Sequence, residues 1–135
     1  MTLVDSNILL DLIAGSQEWT NWSKRQLERA ALDGPLIIND VIYAEISIRF
    51  AAFEALDLLL TANAIEVASM PRAALFLAGK VFSRYRTAGG VRTGVLPDFF
   101  IGAHAAVLEI PILTRDTRRY RTYFPSVELI APKVA

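Results

Sequence analysis

Four acids in this chain stand where a carboxylate can do chemistry: Asp5 in VDSNILLDL, Glu45 in INDVIYAEI, Asp98 in LPDFFIGAHAAV and Asp116 in LTRDTRRY. Asp5 and Asp116 each follow a short apolar run and open a segment with helical spacing. Asp98 comes just after Pro97, in the first turn expected of its own helix. Taken singly, each of these three reads equally well as an acid at a helix N-terminus, where the dipole and the free N–H groups favour it. Gathered at one edge they would repel one another, and a divalent cation is the usual remedy. Glu45 lies inside a helix with Ile42, Ile46 and Arg49 at helical spacing. It is either an intrahelical partner of Arg49 or an acid reaching toward Asp5 and Asp98. With no cysteine and a single histidine, His104, such a site is built of oxygen donors and suits Mg²⁺ or Mn²⁺ rather than Zn²⁺. An ion so held can activate water and neutralise charge on a phosphodiester.

These acids need elements to position them. Thr2 to Val4 reads as a strand ending at Asp5, with Ser6 or Asn7 capping a helix through Ile13 that Gly15 closes. Glu18 to Leu32 has helical spacing of Trp19, Trp22, Leu27, Ala30 and Ala31, and stops at Asp33-Gly34-Pro35. Leu36 to Ile38 is a second strand, and Asn39 or Asp40 caps the next helix. Val41 to Asn63 is long and apolar enough for two helices or one kinked helix. Ile65 to Val67 is a third strand. Pro71 suits the first turn of a helix to about Tyr85, ended by Ala88-Gly89-Gly90. The Asp98 helix, a strand Ile112 to Thr114, a short helix opened by Arg115-Asp116-Thr117 and a strand Val127 to Ile130 complete the chain.

Short apolar strands alternating with helices predict an α/β fold: a parallel sheet of about five short strands, covered on both faces, in one domain over residues 1–135. Sites in such sheets lie at the carboxyl ends of the strands, where Asp5 and Asp116 would face each other if the first and fourth strands are neighbours. Asp98 shares a helix face with Ile101, Gly102 and Ala105, and the small residues are expected to let that helix lie close to the sheet.

At 135 residues, 53% hydrophobic and 21% charged, the composition is that of a folded globular protein. The absence of cysteine excludes disulfides and a cysteine nucleophile. The opening MTLVDSNILLDL carries acids in its apolar run and no basic lead, unlike a signal peptide. No apolar stretch reaches the roughly 18 residues of a membrane span, so a soluble, cytoplasmic protein is expected. Net charge is zero but uneven: residues 1–71 hold 4 Lys/Arg against 10 Asp/Glu, net −6, and residues 72–135 hold 10 against 4, net +6. A basic half is either a footprint for nucleic acid or an uneven solvated surface.

Arg115, Arg118, Arg119 and Arg121, interleaved with Tyr120 and Tyr123, follow the fourth acid and could grip an RNA backbone while the tyrosines stack bases. The other reading is a solvated helix with Tyr123 and Phe124 in the core. Arg84, Arg86 and Arg92, around Gly89-Gly90, are the next such group. His104 falls about 240° around its helix from Asp98 and is expected to be structural. Trp19 and Trp22 are expected to pack on the core. The apolar stretch Ile46 to Leu60 exceeds what one small core needs and could serve core, dimer and partner groove together.

In order and spacing, VDSNILLDL, INDVIYAEI, LPDFFIGAHAAV and LTRDTRRYRTYFPSVELI resemble the four acidic motifs of the PIN-domain nucleases, specifically the VapC-type toxins of bacterial toxin–antitoxin pairs. The resemblance covers essentially the whole chain. It implies a PIN-like three-layer α/β/α sandwich and a Mg²⁺- or Mn²⁺-dependent endoribonuclease. It also implies metal-binding roles for Asp5, Asp98 and Asp116, with Glu45 completing the quartet. Asn7 and Thr114 stand where the family has polar residues supporting the acids. Ser6 replaces a commoner Thr and keeps its hydroxyl, and Arg115 could meet a phosphate. A cognate antitoxin, an RNA substrate and a homodimer are the partners implied. Two other classes remain: a non-catalytic RNA- or partner-binding module on the same scaffold, and a metal phosphohydrolase of small substrates.

Overall fold

A computed structural model of the chain describes residues 1–91, 94 and 96–133. The strands are β1 (Thr2–Val4), β2 (Leu36–Ile38), β3 (Ile65–Val67), β4 (Ile112–Leu113) and β5 (Leu129–Ile130). They form a single sheet in the order β3-β2-β1-β4-β5, and every pairing is parallel. Leu3 is in register with Ile37 on one side and Ile112 on the other, so β1 is central. Successive strand residues point to opposite faces, and every residue of β1, β2 and β4 is buried, so both faces of the sheet are covered. This is the three-layer α/β/α arrangement expected from the alternation of short apolar runs with helices.

The helices are α1 (Ser6–Ala14), α2 (Gln17–Asp33), α3 (Asp40–Ser47), α4 (Phe53–Ala62), α5 (Arg72–Thr87), α6 (Pro97–Leu108) and α7 (Arg118–Tyr123). The starts of α1, α2, α3 and α6 have a local cause. Asp5 accepts the Ser6 N–H, Ser16 accepts the Trp19 N–H, Asn39 accepts the Ile42 N–H, and Pro97 opens α6. The long segment from Val41 divides into α3 and α4. Among the described residues no helix is long and apolar enough to cross a membrane.

The chain runs from β1 outward through β2 to β3, then returns to place β4 on the other side of β1. The order therefore reverses between β1 and β4, and a crevice opens at their carboxyl ends. Asp5 follows β1 there, and Thr114 to Asp116 follow β4. Helix α6 packs against α3, α5 and α7, which brings its first turn to the same edge.

The role of Gly102 differs from the expectation that it brings α6 close to the sheet. A Cβ at this position would run into the ring of Phe124, at the end of α7. The missing side chain lets α7 lie on α6, which is what carries residues 118–120 to the site. Gly102→Ala should lower unfolding stability by about 1–3 kcal/mol through overpacking, measured as the urea midpoint. An unchanged midpoint would mean that the Phe124 ring moves aside at no cost.

Candidate functional site

Asp5 is 4% exposed and its carboxylate is surrounded by donors. Oδ1 accepts the Ser6 N–H at 2.8 Å. Oδ2 accepts the Thr114 hydroxyl at 2.8 Å, the Tyr120 hydroxyl at 2.8 Å and, more distantly, the Asn7 amide at 3.4 Å. Burial raises the Asp5 pKa above the ordinary carboxylate value, these hydrogen bonds oppose the rise, and the Asp98 charge adds to it.

Thr114 and Asn7, the two expected supporting residues, knit the ends of β1 and β4 together. With its proton on Asp5, the Thr114 oxygen accepts from Asn7 Nδ2 at 3.1 Å and from the Asp116 N–H at 3.0 Å. Asn7 Oδ1 accepts the Arg115 N–H at 3.0 Å. Both residues that flank the turn after β4 are thereby tied to the start of α1.

Glu45 lies near the end of α3, with its Oε1 buried and without a hydrogen-bond partner among the described residues. Its pKa is raised to about 7, first by burial and then by the charges of Asp5 and Asp98, against a hydrogen bond from the Ser6 hydroxyl. The expected alternative partner, Arg49, stands past the end of α3, and no ion pair joins the two among the described residues. Asp98 is half-buried in the first turn of α6. Burial raises its pKa, Arg119 lowers it through a hydrogen bond at 3.3 Å and through its charge, and Asp116 raises it. The N-cap of α6 is Leu96, so Asp98 lies inside the first turn rather than at the cap position. Asp116 is exposed, and its Oδ1 accepts the Arg118 N–H at 3.4 Å.

Asp5, Glu45 and Asp98 therefore act on one another at a single edge of the sheet, and Asp116 acts on Asp98. Among the described residues, however, no three Asp, Glu or His side chains stand at the spacing of a metal shell. The donor chemistry nonetheless fits a hard cation. All the donors are oxygens, the largest cause of each raised pKa is desolvation of the charged form, and Glu45 Oε1 is a buried acceptor with no donor among the described residues.

These shifts have a measurable consequence. A carboxyl whose folded pKa is raised binds its proton more tightly folded than unfolded, so its contribution to stability is full below the unfolded pKa and is lost as pH rises through the folded value. For Glu45 that window runs from the ordinary 4.5 to about 7. Metal-free protein should therefore melt at a lower temperature at pH 8 than at pH 5.5, and Mg²⁺ should raise the melting temperature at pH 8 more than at pH 5.5. Equal Mg²⁺ responses at the two pH values would contradict this.

Several residues depart from expectation. Arg115 does not face the acids. Its Nε and Nη2 donate to Asp11 Oδ2 and Oδ1, each at 2.7 Å, and its guanidinium lies 4.4 Å from the centre of the Trp19 ring. Asp11 is buried and also accepts the Ser23 hydroxyl at 2.7 Å. Arg115 is therefore a clip between the turn after β4 and helices α1 and α2, and Trp19 is its platform, while Trp22 packs on the core. Asp11 lies four residues after Asn7, on the same face of α1, and that spacing was the available signal.

Tyr120 is buried on Asp5 and offers no surface to a base. Tyr123 packs edge-on against Phe99 and Tyr85. His104 is fully buried with Nδ1 3.1 Å from the Asn39 amide nitrogen. Asn39 Oδ1 already accepts the Ile42 N–H, so the amide donates to the ring. Burial lowers the His104 pKa, and its place away from the acids matches its expected structural role. Arg118 and Arg119 line an open cleft of about 220 Å³ with Asp116. Arg84, Arg86 and Arg121 are exposed, and Arg92 lies outside the described residues.

Comparison with known proteins gives a family and a set of similar folds. The PIN domain family matches residues 2–125. Among solved structures, VapBC2 from Rickettsia felis bound to a promoter DNA fragment is similar at a TM-score of 0.73 and 18% identity, over 98% of each chain. VapBC-1 from nontypeable Haemophilus influenzae gives 0.72 and 18% over 96% of each chain. A toxin–antitoxin complex from Klebsiella pneumoniae gives 0.69 and 20% over the whole of both chains. At these identities the likeness is one of fold. No match was found among curated proteins.

Proposed function

The chain belongs to the PIN-domain family, and from that premise we propose that it is the toxin of a toxin–antitoxin pair, a Mg²⁺- or Mn²⁺-dependent endoribonuclease of one domain working in the cytoplasm. The observation that carries the reading is the buried Glu45 Oε1, without a hydrogen-bond partner among the described residues, near further acids at the carboxyl edge of a parallel sheet. The similar folds, which come from VapBC and other toxin–antitoxin complexes, support it.

In this reading Asp5, Glu45, Asp98 and Asp116 hold the ion. When bound, it supplies a water acidic enough to attack a phosphodiester at neutral pH and neutralises charge on the phosphate. The chain's own residues do the rest. Thr114, Asn7 and the Ser6 N–H favour the charged form of Asp5 and orient it in a buried place. Arg118 and Arg119, beside the cleft at Asp116, meet the strand's phosphates, with Arg86 and Arg92 as further contacts. The antitoxin and a second copy of the chain would use the surface around α3 and α4. There Ile48 is 84%, Phe53 65% and Leu58 70% exposed, although Ile46, Leu56 and Leu60 of the same stretch are buried.

The test is purified protein with structured RNA in Mg²⁺ or Mn²⁺ and, in parallel, in excess chelator. Cleavage only with metal is expected. RNA retained without turnover would favour a binding module instead, and turnover of a chromogenic phosphate ester without RNA cleavage would favour a small-substrate phosphohydrolase.

A further inference from the structure

Tyr120 has no part in the function proposed so far, yet among the described residues it is the bulkiest fully buried side chain, and its hydroxyl ends on Asp5 Oδ2 at 2.8 Å. A carboxylate oxygen offers about two lone-pair directions. Oδ2 already receives two short hydroxyl bonds, from Thr114 and Tyr120, and a longer one from the Asn7 amide, so its acceptor capacity is filled. Among the described residues Oδ1 receives only the Ser6 N–H and keeps a direction open. Thr114 comes from the end of β4, next to Asp5 in the sheet, whereas Tyr120 reaches Asp5 from α7, seated on α6 through the gap at Gly102. Its neighbour Arg119 meets Asp98 from the same helical turn, so α7 touches two of the acids through adjacent residues.

We propose that Tyr120 is a positioning residue of the metal site: with Thr114 it saturates Asp5 Oδ2, so that Asp5 presents Oδ1 alone to a divalent cation. The proposal rests on the metal-site reading above. A phenol suits the task because its ring fixes the hydroxyl in a packed pocket. Its loss removes one donor and leaves the hydrophobic contact in place.

The test is Mn²⁺ affinity without RNA, by calorimetry or by the resonance of free Mn²⁺, for wild type, Tyr120→Phe and Tyr123→Phe. The last makes the same chemical change on the same helix, at a residue that packs on Phe99 and Tyr85. Removing an orienting partner of a ligand costs about 10-fold or more in affinity. A loss of that size is expected for Tyr120→Phe, with Tyr123→Phe unchanged. Wild type that binds Mn²⁺ while Tyr120→Phe binds within twofold of it overturns the role of Tyr120 and leaves the metal site standing. Wild type that binds no Mn²⁺ overturns both. A second measurement needs no variant: the Tyr120 hydroxyl proton, buried and held on a carboxylate, should give a slowly exchanging downfield resonance that shifts when Mg²⁺ is added to wild type. A resonance that Mg²⁺ does not move counts against the proposal.

Discussion

Asp5→Asn should reduce metal-dependent RNA cleavage at least about 1,000-fold, or about 4 kcal/mol of transition-state stabilisation, while the metal-free protein keeps its fold. The change removes a full negative charge from the site but almost no volume. In the native site two oxygens accept, Oδ1 from the Ser6 N–H and Oδ2 from the Thr114 and Tyr120 hydroxyls. An amide has one oxygen. If that oxygen stays on the Ser6 N–H, its NH₂ faces two hydroxyls, each of which must give up its donor role. If it turns the other way, the NH₂ confronts the Ser6 N–H. Either way Asp5 loses the anionic oxygen left free for a cation. The same substitution also removes a buried charge that raises the Glu45 pKa, so metal-free melting should stay within a few degrees of wild type. Asp98→Asn should be as inactive, and it also weakens the tie to Arg119. Cleavage by either variant within tenfold of wild type would remove the four-acid site from consideration.

The largest expected effect on stability lies away from the acids. Arg115→Ala should cost about 3 kcal/mol of unfolding free energy, the lower end of what is seen when one partner of a buried pair is removed, because Asp11 is left charged and buried while the lost arginine was part-exposed. Asp11 keeps only the Ser23 hydroxyl of its three side-chain donors. The guanidinium's contact with Trp19 disappears with it. Replacing both partners by apolar residues of similar size, Asp11→Leu with Arg115→Met, should recover a large part of the loss, since no buried charge then remains unpaired. Urea unfolding of wild type, both single variants and the double variant checks this as a cycle. A single-variant loss under about 1 kcal/mol, the range of surface pairs, would mean that the clip contributes little.

Two helix starts were legible because they depend on groups a few residues apart: Asn39 with Ile42, and Pro97 at the head of α6. Others were placed less well: Asp5 rather than Ser6 or Asn7 caps α1, α2 begins at Gln17 behind Ser16, and α7 begins at Arg118 rather than at Arg115. The strands were legible as apolar runs bounded by polar residues, and their ends were less so. Thr114 lies past the pairing of β4, and Val127 and Glu128 lie before that of β5, because only Ile112 with Leu129 and Leu113 with Ile130 are matched across the two strands. Strand length in a short parallel pair is set by the partner, which no local pattern records.

By itself, the sequence determined the type and order of the elements and the placing of Asp5, Glu45, Asp98 and Asp116 on strand ends and helices, since hydrophobic period and capping chemistry act over a few residues. Only the tertiary structure decided where the long side chains went. Arg115 chose Asp11, 104 residues away, over any phosphate, and Tyr120 chose Asp5, 115 residues away, over any base. A flexible charged or phenolic side chain goes to the partner that is nearest and least solvated, and that partner exists only once β4 lies beside β1 and α7 lies on α6.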